Sequence, residues 1–125
     1  MMQFIPGLPE YVLAVQGTGT VTDEDYKKVL IPAAEAKIHK FGKVSCLYHL
    51  GPGFEGFEAK AMWDDAMVGL KHRKNWDKIA IVTDADWVRH AVNMLSFMVA
   101  GPISVFPNAD LAKAKAWVAE PAAHA

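Results

Sequence analysis

The segment from Lys78 to Trp87, which reads KIAIVTDADW, restricts the fold of this chain most strongly. Its first half is a short run that is apolar at every position after the lysine. Such a run suits a strand buried on both faces, as in a parallel sheet covered by helices. We therefore expect Lys78 to Thr83 to be a central strand, parallel to a strand from Val44 to Leu50. Ligands of such sheets bind at the carboxyl ends of the strands, so a site is expected first near the turn at Asp84.

Length and composition are those of one globular domain, which we assign to residues 1–125. The chain is 52% hydrophobic, and its formal net charge of −1 provides no basic surface for nucleic acid. The single cysteine, Cys46, excludes a disulfide framework. The first residues lack the basic and apolar segments of a signal peptide, so we expect a cytoplasmic protein. Gly101 and Pro102 divide the uncharged stretch 91–109, so no transmembrane helix is expected there.

Strand and helix patterns alternate along the chain, which predicts an α/β sheet with right-handed crossovers. Thr22 and Asp25 form a capping-box pattern that opens the first long helix, Gly42 ends it after Phe41, and Pro32 predicts a bend within it. Gly51 to Gly56 carries three glycines and one proline and is predicted to be a mobile loop. The remaining predicted elements are strands at Met2–Ile5, Tyr11–Gly17 and Pro102–Phe106, helices at Phe57–Arg73 and Asp86–Val99, and a last helix capped by Asn108.

The second and third long helices each carry more apolar residues than one buried face requires. On the second helix the expected inward stripe is Ala59, Met62, Trp63, Ala66 and Leu70, whereas Phe57, Ala61 and Val68 cluster on the far side. On the third helix the expected core stripe is Val88, Ala91, Val92, Leu95 and Val99, and a second stripe is Trp87, His90, Met94 and Phe97. A second stripe is either buried by a neighbouring helix or faces a ligand, a partner chain or a membrane surface.

Candidate catalytic patterns are few, and each has a structural explanation. Asp84 and Asp86 match the aspartate pair of haloacid-dehalogenase-type phosphatases, but the chain that follows is too short to supply the other catalytic residues of that family. We therefore expect Asp84 to form a turn and Asp86 to be a helix N-cap. His49 ends a strand without a partner, and the histidines and the cysteine lack zinc-ligand spacing. Asp64 and Asp65 diverge by about 100° on a helix, so they do not act on one atom. We predict no catalytic residue, no metal and no cofactor.

The whole chain resembles the SpoIIAA-like proteins, small single-domain members of the STAS and CRAL-TRIO-like group. The resemblance rests on apolar patterns and a few marked residues: the opening strand, the capped helix with Pro32, Val44–Leu50, Met62-Trp63-Asp64-Asp65, His72, Trp76, Lys78–Val82 and Trp87. It implies a mixed, largely parallel sheet of four to five strands, with about four helices packed mainly on one side. It also implies no established enzymatic activity, and either phosphorylation-controlled protein partnering or binding of lipids or membranes.

The phosphorylation role conflicts with the sequence. Antagonists of the STAS type carry a phosphorylatable serine or threonine where the second helix begins. Here residues 51–57 read GPGFEGF and contain no hydroxyl group. A phosphorylation switch of that kind is therefore not expected.

We accordingly predict a non-enzymatic binding module for an apolar ligand, such as a lipid or fatty acid, or for a membrane surface. Its site is a mobile cleft between the second and third helices, lined by Phe54, Phe57, Trp87, His90, Met94 and Phe97. The alternative is a protein–protein interaction domain of STAS type without the phosphorylation switch. Peripheral membrane contact and homodimer formation are compatible with both readings.

Overall fold

The computed structural model describes residues 1–120, so the last five residues of the predicted domain lie outside it. At its centre is a five-stranded sheet in the order β1-β2-β3-β4-β5. The strands are β1 (Met2–Phe4), β2 (Val12–Val21), β3 (Val44–Phe57), β4 (Trp76–Thr83) and β5 (Ile103–Phe106). β1 is antiparallel to β2, and the other neighbouring pairs are parallel. The mixed, largely parallel sheet is therefore confirmed.

β4 is an interior strand paired on both edges, as its apolar run predicts, although β3 is the middle strand of the five. It pairs in parallel with β3 on one edge and with β5 on the other. Ala80 and Val82 are buried on one face of the sheet, and Ile79 and Ile81 pack against the core on the other. Because helices cover both faces of β4, each position from Ile79 to Val82 carries an apolar side chain.

The helices cover the two faces of the sheet unequally. They are α1 (Asp23–Asp25), α2 (Ile31–Phe41), α3 (Ala59–Lys71), α4 (Asp86–Leu95) and α5 (Leu111–Ala119), with 3₁₀ turns at Ser96–Met98 and Asn108–Asp110. The turn Tyr26–Leu30 and helices α2, α3 and α4 share the larger core, whereas α5 packs alone against the opposite face through Ala114 and Val118. The predicted packing mainly on one side is confirmed. Within the described range, none of these helices is long and apolar enough to cross a membrane.

The first long helix begins and ends where the sequence predicts. The Thr22 side chain accepts a hydrogen bond from the Asp25 backbone N–H at 3.1 Å, and the Asp25 carboxylate accepts one from the Thr22 N–H at 2.9 Å. Gly42 ends the helix with a φ of 76°. The expected irregularity near Pro32 is a π-helical turn at Tyr26–Leu30. A proline ring clashes with the carbonyl four residues before it in a regular α-helix, and the wider turn relieves that clash.

The prediction of a mobile loop at Gly51 to Gly56 is wrong, because β3 continues through this stretch to Phe57. β2 also continues beyond its predicted end, so Gly19 lies opposite Phe54 and Val21 lies opposite Phe57, with irregular register between. Pairing with an equally extended neighbour outweighs the local preference of glycine and proline for turns. Both phenylalanines are consequently held by the sheet.

The acidic turn after β4 is structural, but not in the predicted way. Asp84 accepts hydrogen bonds from the backbone N–H of Asn108 at 2.9 Å and from its side-chain amide at 3.3 Å, which ties the ends of β4 and β5 together. Ala85 occupies the N-cap position of α4, and Asp86 is the first helical residue without a capping bond. The predicted caps are therefore wrong for Asp86, and for Asn108, whose amide binds Asp84. A substitution of Asp86 removes no capping bond.

Candidate functional site: an apolar cavity between α3 and α4

The face that α3 turns towards the sheet is not the one predicted. Ala61 and Val68 are buried, whereas Trp63 is 68% exposed and Leu70 is 49% exposed. Positions 61, 65 and 68 are i, i+4 and i+7 on one face; the alanine and the valine are buried, and Asp65 between them is exposed. Because the bulkier apolar residues lie on the other face, the apolar periodicity favoured the wrong side. α3 therefore packs through small side chains and leaves space beneath it.

The core stripe of α4 is as predicted, and its second stripe is uncovered. Val88 and Val99 are buried, and Ala91 and Val92 are partly buried; the side chain of Leu95 lies outside the described parts. Trp87, His90, Met94 and Phe97 are all exposed. The alternative in which a neighbouring helix buries this stripe is therefore wrong for residues 1–120.

Between α3, α4 and the sheet lies an open cavity of about 160 Å³, here called the α3–α4 cavity. α3 contributes Met62, Asp65, Ala66, Val68 and Gly69 to its wall, and the sheet contributes Cys46, Tyr48, Leu50, Phe57, Trp76, Ile79, Ile81 and Ile103. α4 and the turn after it add Trp87, Val88, Ala91, Val92 and Val99, and the first helical segment adds Tyr26 and Leu30. The wall is almost entirely apolar.

The structure brings together three of the six predicted site residues. The Phe54 ring stacks on Trp87 with centroids 5.9 Å apart and meets Phe57 edge-on at 5.0 Å. Phe57 in turn contacts Trp87 at 6.0 Å and Tyr48 at 6.2 Å. Phe57 and Trp87 line the cavity, with Phe54 packed against both. These rings form an aromatic wall that leads from the surface of the molecule to Tyr48.

The other three predicted site residues lie elsewhere. His90, Met94 and Phe97 are exposed on α4 and the turn that follows it, and they are not among the residues that line the cavity. Met94 is 75% exposed and Phe97 is 68% exposed. Met94 and Phe97, together with the exposed Trp63, Met67 and Leu70 of α3, are here called the outer apolar surface.

A small polar cluster interrupts the apolar wall. The Tyr26 hydroxyl donates a hydrogen bond to the Asp65 carboxylate at 2.9 Å and lies 3.1 Å from the Tyr48 hydroxyl. Tyr26 is completely buried and Tyr48 is nearly so. Asp65 lines the open cavity and is exposed to solvent there, although many protein atoms lie around its carboxyl group. We call these three side chains the Tyr–Asp cluster.

The environment of the Tyr–Asp cluster changes its acid–base behaviour. Burial raises the pKa of Asp65 above its ordinary value, and the hydrogen bond from Tyr26 offsets part of that rise. Burial also raises the pKa of both tyrosines, with the charge of Asp65 adding to the effect. Burial raises the pKa of the Cys46 thiol to about 12, so this thiol is protonated at neutral pH. The cluster contains no activated nucleophile.

Asp65 is the important residue that sequence reasoning missed. As predicted, Asp64 and Asp65 diverge: Asp64 faces Asp23, which raises the pKa of Asp64, while Asp65 faces the cavity. The signal in the sequence was the spacing of Asp65 between Ala61 and Val68. A charged residue on a face that a helix buries is uncommon, and it is a candidate for function.

The polar residues predicted at the carboxyl ends of the strands do not form a second site. His49 does not end its strand as predicted, because β3 continues to Phe57; it is half-buried, and burial lowers its pKa. The carboxylate of Asp84 is already occupied by Asn108. In the part of the chain that the structure describes, no group of three or more histidine, cysteine or acidic side chains is arranged to hold a metal ion.

Comparison with known proteins identifies the family and the fold of this chain. A family model described as SpoIIAA-like matches residues 12–119. A solved structure from Shewanella loihica PV-4, described as an uncharacterized protein from the DUF3478 family with a SpoIIAA-like fold, matches with a TM-score of 0.73. The two chains are 23% identical, and the match covers 94% of this chain and 92% of that chain. This likeness concerns the fold alone. No curated protein matches the sequence.

Proposed function

Because the chain belongs to the SpoIIAA-like family, whose members are generally non-catalytic, we propose that it is a non-enzymatic binding module. It takes an apolar small molecule or one lipid chain into the α3–α4 cavity. The observation that carries this proposal is an open cavity with an almost entirely apolar wall and an aromatic wall at its mouth. Concave pockets with a mostly apolar lining and a few polar groups are where proteins bind small molecules.

The size of the cavity limits what it holds. Apolar cavities of about 150 Å³ bind molecules the size of benzene. At about 160 Å³, the α3–α4 cavity therefore holds one ring or a short stretch of alkyl chain. A longer ligand extends through the mouth along Phe54 and Trp87. Burying each methylene group of such a chain stabilises the complex by about 0.8 kcal/mol.

Filling the cavity tests this proposal. Gly69 lies on the wall, and a Cβ atom added there meets only the Val99 side chain at an ordinary distance of 3.7 Å. Gly69→Leu therefore places a side chain into the cavity. The matched control is Met67→Leu, because Met67 is on α3 but not among the lining residues.

The measurement is isothermal titration with octan-1-ol, supported by native mass spectrometry of freshly purified protein for a co-purified lipid. We expect wild type and Met67→Leu to bind the alcohol and Gly69→Leu to bind at least tenfold more weakly. Equal binding by all three chains contradicts the proposal, as does saturable binding by none of them.

A second candidate function is supported by the outer apolar surface. Trp63, Met67, Leu70, Met94 and Phe97 are large, apolar and exposed. Extended apolar surfaces of this kind mark sites for protein partners or membranes. This favours a protein–protein interaction domain, with a second copy of the chain or a membrane surface as other occupants.

The two candidates make opposite predictions for two variants. If the outer surface is the functional site, Trp63→Ser abolishes dimer mass or flotation with phospholipid vesicles, and Gly69→Leu does not. If the cavity is the site, Gly69→Leu loses the ligand and Trp63→Ser keeps it.

A further inference from the structure

The α3–α4 cavity carries one charged side chain among the residues that line it in the described chain, and that side chain is Asp65. Within residues 1–120, Asp65 forms no ion pair, and its partner is the neutral Tyr26 hydroxyl. Asp65 is exposed in the open cavity, but protein atoms lie close around its carboxyl group, and a carboxylate that has lost part of its water is stabilised by a cation or by hydrogen-bond donors. Because Asp65 has no cationic partner among the described residues, we expect the ligand to supply the positive charge.

The hydroxyl hydrogens of the Tyr–Asp cluster also indicate that the ligand carries a hydrogen-bond donor. An ionised carboxylate only accepts, so the single hydroxyl hydrogen of Tyr26 goes to Asp65. The Tyr48 hydroxyl must then donate its hydrogen to the oxygen of Tyr26, 3.1 Å away. Both hydroxyl hydrogens are used, so the cluster offers the cavity lone pairs only, on the second oxygen of Asp65 and on Tyr48. The complementary ligand group is a donor.

We propose that the ligand is an amphiphilic amine, whose ammonium group binds Asp65 and Tyr48 while its apolar body fills the α3–α4 cavity. This inference rests on the proposed function and specifies its ligand class. The ammonium supplies both the missing positive charge and up to three hydrogen-bond donors. The faces of Tyr48, Phe57 and Trp87 assist, because aromatic rings attract cations that have lost water.

The same geometry disfavours a fatty acid, which brings a second carboxylate. Its negative charge faces Asp65, and the residues lining the cavity include no lysine or arginine to compensate it. The wall does contain one donor, the Trp76 indole N–H, which is buried without a partner in the described structure. Trp76 pairs with Val44, four residues along β3 from Tyr48, and a neutral N–H does not compensate a charge.

Three ligands of equal chain length separate these possibilities: octylamine, octan-1-ol and octanoate, each titrated calorimetrically at pH 7. We expect octylamine to bind about tenfold or more tightly than octan-1-ol, and octanoate to bind most weakly. Asp65→Asn keeps the shape and an acceptor but removes the charge. It should reduce octylamine affinity at least tenfold and bring the three ligands close together.

The neighbouring carboxylate is the matched control. Asp64→Asn makes the same chemical change on the same helix, but Asp64 faces Asp23 and does not line the cavity, so the ranking should be unchanged. If Asp65→Asn does not fold, Tyr48→Phe replaces it. That variant removes one acceptor and should weaken octylamine binding several-fold without weakening octanoate.

These titrations distinguish a failure of the amine proposal from a failure of the cavity proposal. If octan-1-ol binds wild type and not Gly69→Leu, but octylamine is no better or octanoate binds equally, the cavity proposal stands and the amine is overturned. The amine is also overturned if its advantage persists in Asp65→Asn or is lost in Asp64→Asn. If none of the three ligands binds wild type, both proposals are overturned.

Discussion

If the role of Asp65 is to bind a ligand, its carboxylate should lower the free energy of unfolding of the ligand-free protein. Burial raises the pKa of this carboxyl group, so the folded chain binds its proton more tightly than the unfolded chain does. Its contribution to stability is therefore fully present below the unfolded pKa of about 3.9 and is lost as pH rises through the folded pKa. Asp65→Asn removes this titration and still accepts the hydrogen bond from Tyr26. The variant should be more stable than wild type at neutral pH.

The size of this effect follows from the surroundings of Asp65. Each unit by which a pKa is raised corresponds to about 1.4 kcal/mol at pH values where the group is ionised. Tyr26 donates to the carboxylate, and water in the open cavity screens its charge, so only part of the burial penalty remains. The other ionisable neighbours, Tyr48 and Cys46, are protonated at neutral pH and contribute no cation. We expect a gain of about 1 kcal/mol at pH 7, or about 4 °C in Tm.

Urea denaturation followed by circular dichroism between pH 4 and pH 8 measures this gain. The stability difference between Asp65→Asn and wild type should be near zero at pH 4 and should grow towards pH 8. Glu55→Gln is the control, because Glu55 is an exposed carboxylate and its loss should change stability by less than about 0.5 kcal/mol. If Asp65→Asn is about 1 kcal/mol less stable at pH 7, the carboxylate supports the fold and its assignment to a ligand fails.

Three further stability predictions follow from particular positions. Gly69→Ala should stabilise the fold by about 0.5–1 kcal/mol in urea denaturation, because alanine favours the helix and the added Cβ has room. Gly101→Ala should cost about 2 kcal/mol or more in the same assay, since its Cβ would lie under 3.0 Å from the backbone carbonyls of Trp76 and Asp77. Phe97→Ser should cost only about 1 kcal/mol, because the ring is 68% exposed; a loss of about 3 kcal/mol or more would show that it is core.

Elements fixed by short-range chemistry could be predicted from the sequence. The apolar run of β4, the Thr22–Asp25 capping box and the left-handed Gly42 each depend on a few neighbouring residues, and each is found where expected. Gly51 to Gly56 was misjudged because the partner that keeps it extended is the distant end of β2. Turn propensity is local, whereas strand pairing is not.

The site was only partly predictable for a related reason. Periodicity located two apolar stripes on α3 but could not rank them, since either face satisfies the pattern. The sheet selects the face with Ala61 and Val68, and this choice brings Asp65 against Tyr26 from a different helical segment. The predicted proximity of Phe54, Phe57 and Trp87 is observed, whereas His90, Met94 and Phe97 do not line the cavity. The polar cluster depends on which face is inward, so it required the structure.

The most direct test of the central claim uses the four tryptophans of the chain as separate probes. Trp76 and Trp87 line the α3–α4 cavity, Trp63 is exposed on the outer face of α3, and Trp117 packs against Phe106 on the opposite side of the sheet. Their indole N–H signals can be followed by ¹⁵N-resolved NMR during titration with octylamine. Saturable shifts of the Trp76 and Trp87 signals, with Trp63 and Trp117 unmoved, are the predicted result. Shifts confined to Trp63, or no saturable shift at Trp76 and Trp87, would contradict a ligand site in the cavity.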